Sequence, residues 1–504
     1  MRFLNVVVCG MSMGLQMQTH AQTFNTRFDP WERADFGWCV ERLADSSYMV
    51  ISNSEWQDSL FYSSVVTGVR TNDTGAFLDT SRLSIPLRAT YVGWANASAM
   101  CSDGRIVIGG NTYRSDETIQ AALFITGTDG TFSQLLVYGA QGEEWIGRQA
   151  KQTPDGGYVL CGETSTVGIV DGFLVKTDSA GEVEWVRTYG SDDRYEFYTS
   201  VDLAPWGGYY VGGTRQVASG NYDPWILRMD EEGNIIGQGD HGTPQNDYQS
   251  AHLTTAADGH VLMACALNMG STQNTQRIGL LKMDQEGVVQ WQRLYGAVRN
   301  TALFVVQEIA PSYDLITCGF AYIGSQPKGI LLRTTATGDS LWMREYDYFD
   351  AEVTNGKGAF YDVQPTPDGG FIAVGVALAV AGQYTQDVWV VKTDSMGCIE
   401  PGCHLITGME SQITNLKDAL RVWPNPVAQG GAVQVSVELP SNFVVQGQLR
   451  LTVTDALGRL VQEQVVAQGT TTLNFINTQL TTGLYHLHLS DDRRWISGGK
   501  LLVE

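Results

Sequence analysis

Residues 152–190 read QTPDGGYVLCGETSTVGIVDGFLVKTDSAGEVEWVRTYG, and the rest of the chain repeats them. The KTDSAG half returns as VKTDSAG (175–181), LRMDEEG (227–233), LKMDQEG (281–287), LRTTATG (332–338) and VKTDSMG (391–397), with looser copies VRTNDTG (69–75) and FITGTDG (124–130). Their closing glycines, Gly75, Gly130, Gly181, Gly233, Gly287, Gly338 and Gly397, are spaced by 55, 51, 52, 54, 51 and 59 residues. The PDGGYVLCG half recurs in the same register as SDGRIVIGG (102–110), PWGGYYVGG (205–213), ADGHVLMAC (257–265) and PDGGFIAVG (367–375), and more weakly at 45–52 and 312–319. Two independent anchors agree on one period, the mark of a repeat architecture.

Each unit carries four short apolar or alternating runs separated by Gly, Asp, Pro and Asn, the pattern of strands joined by turns. DGG supplies residues that tolerate positive φ between antiparallel strands. No long window has helical periodicity, which excludes a helical solenoid. Four strands per unit at a period near 50 residues predicts one propeller blade per unit, so the fold class expected is all-β, a β-propeller of about seven blades over residues 22–405. Trp185, Trp291 and Trp342, each four residues past a closing glycine, and Tyr189, Tyr295 and Tyr346, four further on, are expected to pack between neighbouring blades. The last unit lacks a fourth strand. FNTRFD (24–29) aligns with WMREYD (342–347) and is expected to supply it, closing the ring without an open sheet edge.

At the N-terminus, Arg2 precedes an apolar run from Phe3 to Leu15, and Thr19, His20 and Ala21 form a small-x-small pattern. This predicts a signal peptide over residues 1–21, cleaved after Ala21. Seven cysteines then remain, an odd number that argues against a full disulfide framework. Cys161, Cys265 and Cys318 sit in apolar runs and read as core, whereas GCIEPGC (397–403) places a turn between Cys398 and Cys403 and suggests a local disulfide in an oxidising compartment. The net charge of −22 makes nucleic acid and anionic membranes poor partners. No transmembrane segment is expected.

Residues 406–419 turn polar and read as a linker. Beyond them, 420–504 alternate short apolar runs with turn residues, as expected of a small Ig-like β-sandwich. The domain opens with Pro424, Asn425 and Pro426, carries a hairpin with Asp455, Gly458 and Arg459 and a strand with Gly483 and Tyr485, and ends on Lys500, Leu501, Leu502 and Val503. These features resemble the type A C-terminal sorting domain of the type IX secretion system in the Bacteroidota. The repeats also look like the DGGY and KTD repeats found in such proteins. The resemblance implies export across the outer membrane, recognition by the type IX translocon, removal by a sortase-like peptidase, and a cell-surface or secreted location. Alternation in GLYHLHL places His486 and His488 on the face opposite Tyr485, Leu487 and Leu489, where they read as solvent-facing.

Signatures of catalysis are missing: there is no HExxH, GxSxG, GxxxxGK[S/T] or paired CxxC. The TDSAGEVEW segment does not have the spacing of an Asp-box. No cofactor or catalytic residue is expected; the turn residues Asp178, Asp230, Asp284 and Asp394 have the oxygen chemistry for calcium, but a single carboxylate per turn is too few for a site and they read as ordinary turn and hydrogen-bonding residues. The longest variable segments, 165–172, 215–224, 267–278, 321–329 and 378–387, all join second and third strands and should share one face, the candidate surface for a glycan or protein ligand. The function expected from sequence is an exported binding or scaffolding propeller without catalysis. The alternative is a secreted hydrolase or lyase acting on polysaccharide or peptide through carboxylates at the channel mouth.

Overall fold

The computed structural model describes residues 23–504 except 30–31, 58–61, 83–87, 114–117, 167–168, 191–193, 248–249, 271–274, 325, 349–356, 379–385, 401–402, 404–411, 414–415, 417–418, 441–442, 444, 446, 456–459, 468–471, 477–479 and 492–493. The expected signal peptide with Ala21, and the Gly458–Arg459 turn, lie outside the described residues.

One repeat makes one antiparallel sheet. In the third sheet, Glu144–Gln152, Tyr158–Thr166, Ile169–Thr177 and Val183–Tyr189 pair in sequence order. Both halves of the repeat have a local cause. The Asp155 carboxylate caps its own turn, accepting the Gly157 N–H at 3.0 Å, and its second oxygen takes the Lys176 ammonium at 2.7 Å. The Asp of DGG and the Lys of KTD are therefore partners across the second and third strands. The same pair recurs as Lys282–Asp258, Lys392–Asp368, Arg333–Asp314 and Arg70–Asp45. Asp178 accepts the N–H groups of Ala180 and Glu182, both at 2.9 Å, in the turn that Gly181 closes at φ +87°.

Seven such sheets follow along the chain. Their first strands touch, each with the next, and the first strand of sheet 7 (Lys357–Pro365) touches that of sheet 1 (Asp35–Arg42). Fourth strands such as Val183–Tyr189 are largely exposed, so first strands line the axis and fourth strands the rim. Buried clusters fill each junction. The one between sheets 7 and 1 joins Ile372, Val374, Val388 and Val390 to Val40, Val50 and Val69. The result is a closed, propeller-like ring.

Phe24–Phe28 forms the outer strand of sheet 7, with Phe24 opposite Lys392 and Phe28 opposite Val388. Asn25 fixes this strand by donating to the Asp347 carbonyl at 3.1 Å and accepting the Trp389 indole N–H at 2.6 Å. Two of the variable segments are shorter loops than the sequence suggests. Tyr209–Ala218 and Asn221–Met229 nearly meet across Gly220 (φ +73°), and Asp314–Ile323 and Gln326–Thr334 across Gly324 (φ +65°), because a glycine in the left-handed region lets the strands run on to a tight turn.

The C-terminal region has a five-stranded and a three-stranded sheet around one apolar cluster that includes Val433, Val435, Leu451, Leu487, Leu489 and Leu501. The solvent-facing reading of His486 and His488 is corrected: they are 4% and 0% exposed. Their strand, Gly483–Ser490, pairs on both sides and is covered on its second face, and His488 Nε2 lies 3.3 Å from the Thr454 hydroxyl. A disulfide joins Cys398 and Cys403, and Cys39, Cys101, Cys161, Cys265 and Cys318 are buried thiols.

Candidate functional site

The first strands carry a shared irregularity. Register shifts between Gly37 and Cys39, Gly147 and Gln149, Tyr198 and Ser200, Leu303 and Val305, and Phe360 and Asp362 each leave one extra residue. Those residues are Trp38, Arg148, Thr199, Phe304 and Tyr361. In sheet 2 the strand breaks outright between Thr90–Val92 and Ser98–Met100, and Trp94 lies in the gap. A bulge bends its strand and re-aims a side chain, here producing a contiguous layer where the first strands converge. Trp38 lies 5.5 Å from Trp94 and 4.6 Å from Tyr361, and Tyr361 lies 5.1 Å from Phe304 (ring centroids).

The layer has polar edges. Arg148 stacks over Trp94 at 5.4 Å, donates to the Gly93 carbonyl at 3.0 Å and pairs with Glu163 at 2.5 Å. The Trp38 indole donates to Asn53 at 3.0 Å. Trp94 is 39% exposed, whereas Phe304 is buried beside His252, whose imidazole burial pushes down to about 4 and so keeps neutral. From Phe304 the aromatics continue through Phe320 to Tyr322, toward the hairpin joining the second and third strands of sheet 6.

Beneath the layer, carboxylates and amides tie the first strands together. Asp362 accepts the Val40 N–H at 2.9 Å and the Val363 N–H at 2.8 Å, and Glu41 accepts the Ser98 hydroxyl at 2.7 Å. Gln149 donates to the Asn96 carbonyl at 2.6 Å and accepts the Val201 N–H at 2.8 Å. Burial pushes Asp362 up to about 7, with the nearby Glu41 charge adding to the shift, and burial raises Glu41 as well. Carboxyl groups so raised hold protons that an exposed aspartate gives up.

The turn aspartates do not converge. Asp178, Asp230, Asp284 and Asp394 each accept N–H groups within their own turn, four separate capping sites. Burial nevertheless raises Asp394 to about 6. In the C-terminal region the structure does bring motif residues together. The Asn425 amide donates to the Lys500 carbonyl at 2.8 Å and accepts the Leu502 N–H at 2.8 Å, joining the Pro424–Asn425–Pro426 segment to the last strand. Asp455 lies opposite Tyr485 in the sheet, next to Gly483 and Leu484 on the same strand, and the Tyr485 hydroxyl donates to the Thr481 carbonyl at 2.9 Å.

Reading for known motifs misses the aromatic layer, yet a signal exists. Trp38, Arg148 and Tyr361 each stand seven residues before the turn aspartates Asp45, Asp155 and Asp368. Large side chains at one repeat position mark a place where all units face a common centre.

Among solved structures, an α-L-arabinanase of Penicillium chrysogenum in complex with arabinobiose is similar at 11% identity and a TM-score of 0.38, over 75% of this chain and 99% of that one. An α-L-arabinofuranosidase of Clostridium thermocellum matches at 10% identity and a TM-score of 0.32, over 52% and 94%. A β-fructofuranosidase of Bombyx mori in complex with sucrose matches at 11% identity and a TM-score of 0.30, over 71% and 88%. The expectation of a propeller without catalysis is corrected by these three matches, each of them to a glycoside hydrolase. Their substrates and catalytic residues do not pass to this chain at such identities. No curated protein matches it. Among the described residues no helix is long and apolar enough to cross a membrane. Residues 421–504 match the family model of the secretion system C-terminal sorting domain, which directs a protein to the cell surface or out of the cell through the type IX machinery.

Proposed function

We propose that the protein is an exported, carbohydrate-active seven-bladed β-propeller (residues 22–405) that takes a saccharide at the axial aromatic layer. A signal peptide (1–21) precedes it, and a linker (406–419) leads to an Ig-like sorting domain (420–504) read by the type IX translocon and cut by a sortase-like peptidase. The observation that carries the reading is the run of contacting rings Trp94, Trp38, Tyr361 and Phe304, drawn from four different sheets. A sugar ring presents an apolar C–H face that stacks on aromatic faces, while its hydroxyls need fixed donors and acceptors at the edge. Arg148 and Glu163 supply these. The overall negative charge favours a neutral glycan over a polyanion.

A second reading, glycoside hydrolysis, is favoured by the raised pair Glu41 and Asp362 below the rings, since such chemistry needs one carboxyl group protonated near neutral pH. The test is calorimetric titration of the full mature chain with neutral oligosaccharides and polysaccharides, paired with a reducing-end release assay. Trp94→Ala should weaken binding by about tenfold without changing the melt, because Trp94 is exposed. If no neutral saccharide binds, the saccharide reading fails. If binding occurs without cleavage, or Asp362→Asn still cleaves, hydrolysis by this pair fails.

A further inference from the structure

Where the ring closes, three aspartates from three segments meet. Asp29 follows the closing strand Phe24–Phe28, Asp35 opens the first strand of sheet 1, and Asp387 lies near the start of the third strand of sheet 7. One carboxylate oxygen from each lies within 4.8 Å of the other two.

Asp35 is the anomaly. It has no exposed surface, and neither of its carboxylate oxygens has a hydrogen-bond partner among the described residues. Asp387 is nearly as buried; Arg27 holds one of its oxygens at 2.6 Å and the other has no partner. Asp29 is exposed and uses one oxygen to accept the Arg33 N–H at 3.1 Å. Burial and the neighbouring charges of Asp29, Asp387 and Glu55 push Asp35 up to about 7, and the nearby Ser54 hydroxyl, hydrogen-bonded to Thr67, offsets this only in part. Burying a carboxylate with no partner costs several kcal/mol by the usual scale, and a native fold satisfies such groups. Arg27 answers one oxygen of Asp387, and both oxygens of Asp35 and the second of Asp387 are left as buried acceptors that a cation would satisfy.

We propose that Asp29, Asp35 and Asp387 bind a divalent cation of the calcium class, which clamps the seam of the ring. Oxygens bound to one calcium ion at about 2.3–2.6 Å stand at most about 5 Å apart, as these do. A donor set of carboxylates alone suits a hard ion and gives nothing to a thiophilic one. Asp29, at the exposed side, leaves room for water to complete a coordination shell larger than three. Because the ligands come from the closing strand's exit, sheet 1 and sheet 7, the ion would hold the two ends of the ring together, the contact on which its cooperativity rests.

The full mature chain, stripped with EDTA and dialysed, is melted with and without millimolar CaCl2 or MgCl2. Calcium is expected to raise the wild-type melting temperature by about 3 °C or more, with a smaller shift for magnesium. Asp35→Asn should abolish the calcium shift. Asp29→Asn, at an exposed position that leaves the fold intact, should reduce it several-fold. An unshifted wild type without calorimetric calcium binding overturns the proposal, as does an Asp29→Asn variant that responds like wild type.

Discussion

The Tyr346 hydroxyl, on the outer strand of the sixth sheet, donates a 2.7 Å hydrogen bond to the carbonyl of Gly397 in the closing turn of the seventh. Trp342 lies against the same glycine, and a Cβ added there would come within 2.8 Å of its ring. The bond recurs as Tyr295 to Gly338 at 2.6 Å, Tyr138 to Gly181 at 3.1 Å, and Tyr189 to Gly233. At these four junctions a sheet holds the turn of its successor by one hydroxyl that bonds and one side chain that packs on the glycine, Trp185, Trp291 or Trp342 at three of them and Leu136 at the fourth. The glycine is required twice, for its positive φ and for the missing side chain.

Tyr346→Phe should therefore destabilise the protein by about 1 kcal/mol, because it keeps the ring and orphans a buried carbonyl. Gly338→Ala should cost more, since at φ +82° its Cβ would meet Trp291 at 2.9 Å. Urea denaturation of both variants checks the order. A Tyr346→Phe midpoint equal to wild type would show that the hydrogen bond contributes nothing net.

The ring's seam makes a stronger demand. Phe24 and Phe28 are 8% and 6% exposed, and Phe24 lies over Gly75 as Trp342 lies over Gly397. Phe24→Ala should cost about 3–5 kcal/mol, and truncation of residues 22–30 should lower the melting temperature far more than loss of an exposed terminus would. An unchanged melt of the truncated chain would mean that the ring holds without its outer strand.

These contacts explain why some of the molecule can be read from sequence and some cannot. Asp155, Lys176, Gly181 and Trp185 act through neighbours at fixed offsets within or between repeats, so their roles leave a periodic trace. The axial layer leaves a fainter one. Trp38, Arg148 and Tyr361 occupy one repeat position with different side chains, and only the bulge that each strand makes there turns them toward one another. The cluster of Asp29, Asp35 and Asp387 has no trace at all, because it forms where two distant ends of the chain meet. His486 and His488 misled for a related reason: alternation separates two faces of a strand but does not say whether the second is covered.

The buried carboxyl groups should set the pH response. Asp362 is raised to about 7 against an ordinary aspartate value of 3.8, so the folded state holds its proton more tightly than the unfolded chain. Its contribution is fully present below about pH 4 and is lost as pH rises through about 7. Asp223, raised to about 6 by burial and by the charges of Asp247 and Asp240, acts in the same direction. Wild-type stability should fall between pH 5 and pH 8. Asp362→Asn, whatever its stability at pH 5, should show a shallower fall. Denaturant melts at four pH values would decide this, and parallel profiles for the two proteins would remove Asp362 as the source.

The last prediction concerns export. Asn425 bridges the start of the sorting domain to its final strand through two 2.8 Å hydrogen bonds, one to the Lys500 carbonyl and one from the Leu502 N–H. The opening segment and the terminal strand therefore present one continuous surface: the Asn425 side chain fixes its start, and backbone hydrogen bonds between Val427 and both Leu502 and Glu504 carry it on. Asn425→Ala removes both bonds while leaving Pro424 and Pro426 in place. It should lower the amount of protein at the cell surface or in the medium several-fold, with a matching rise inside the cell, while the melt of the ring stays unchanged. Fractionation and immunoblotting of cells expressing each form measure both quantities. Wild-type export of the variant would mean that the machinery reads the terminal strand without the opening segment, and would shift attention to Lys500 and its neighbours.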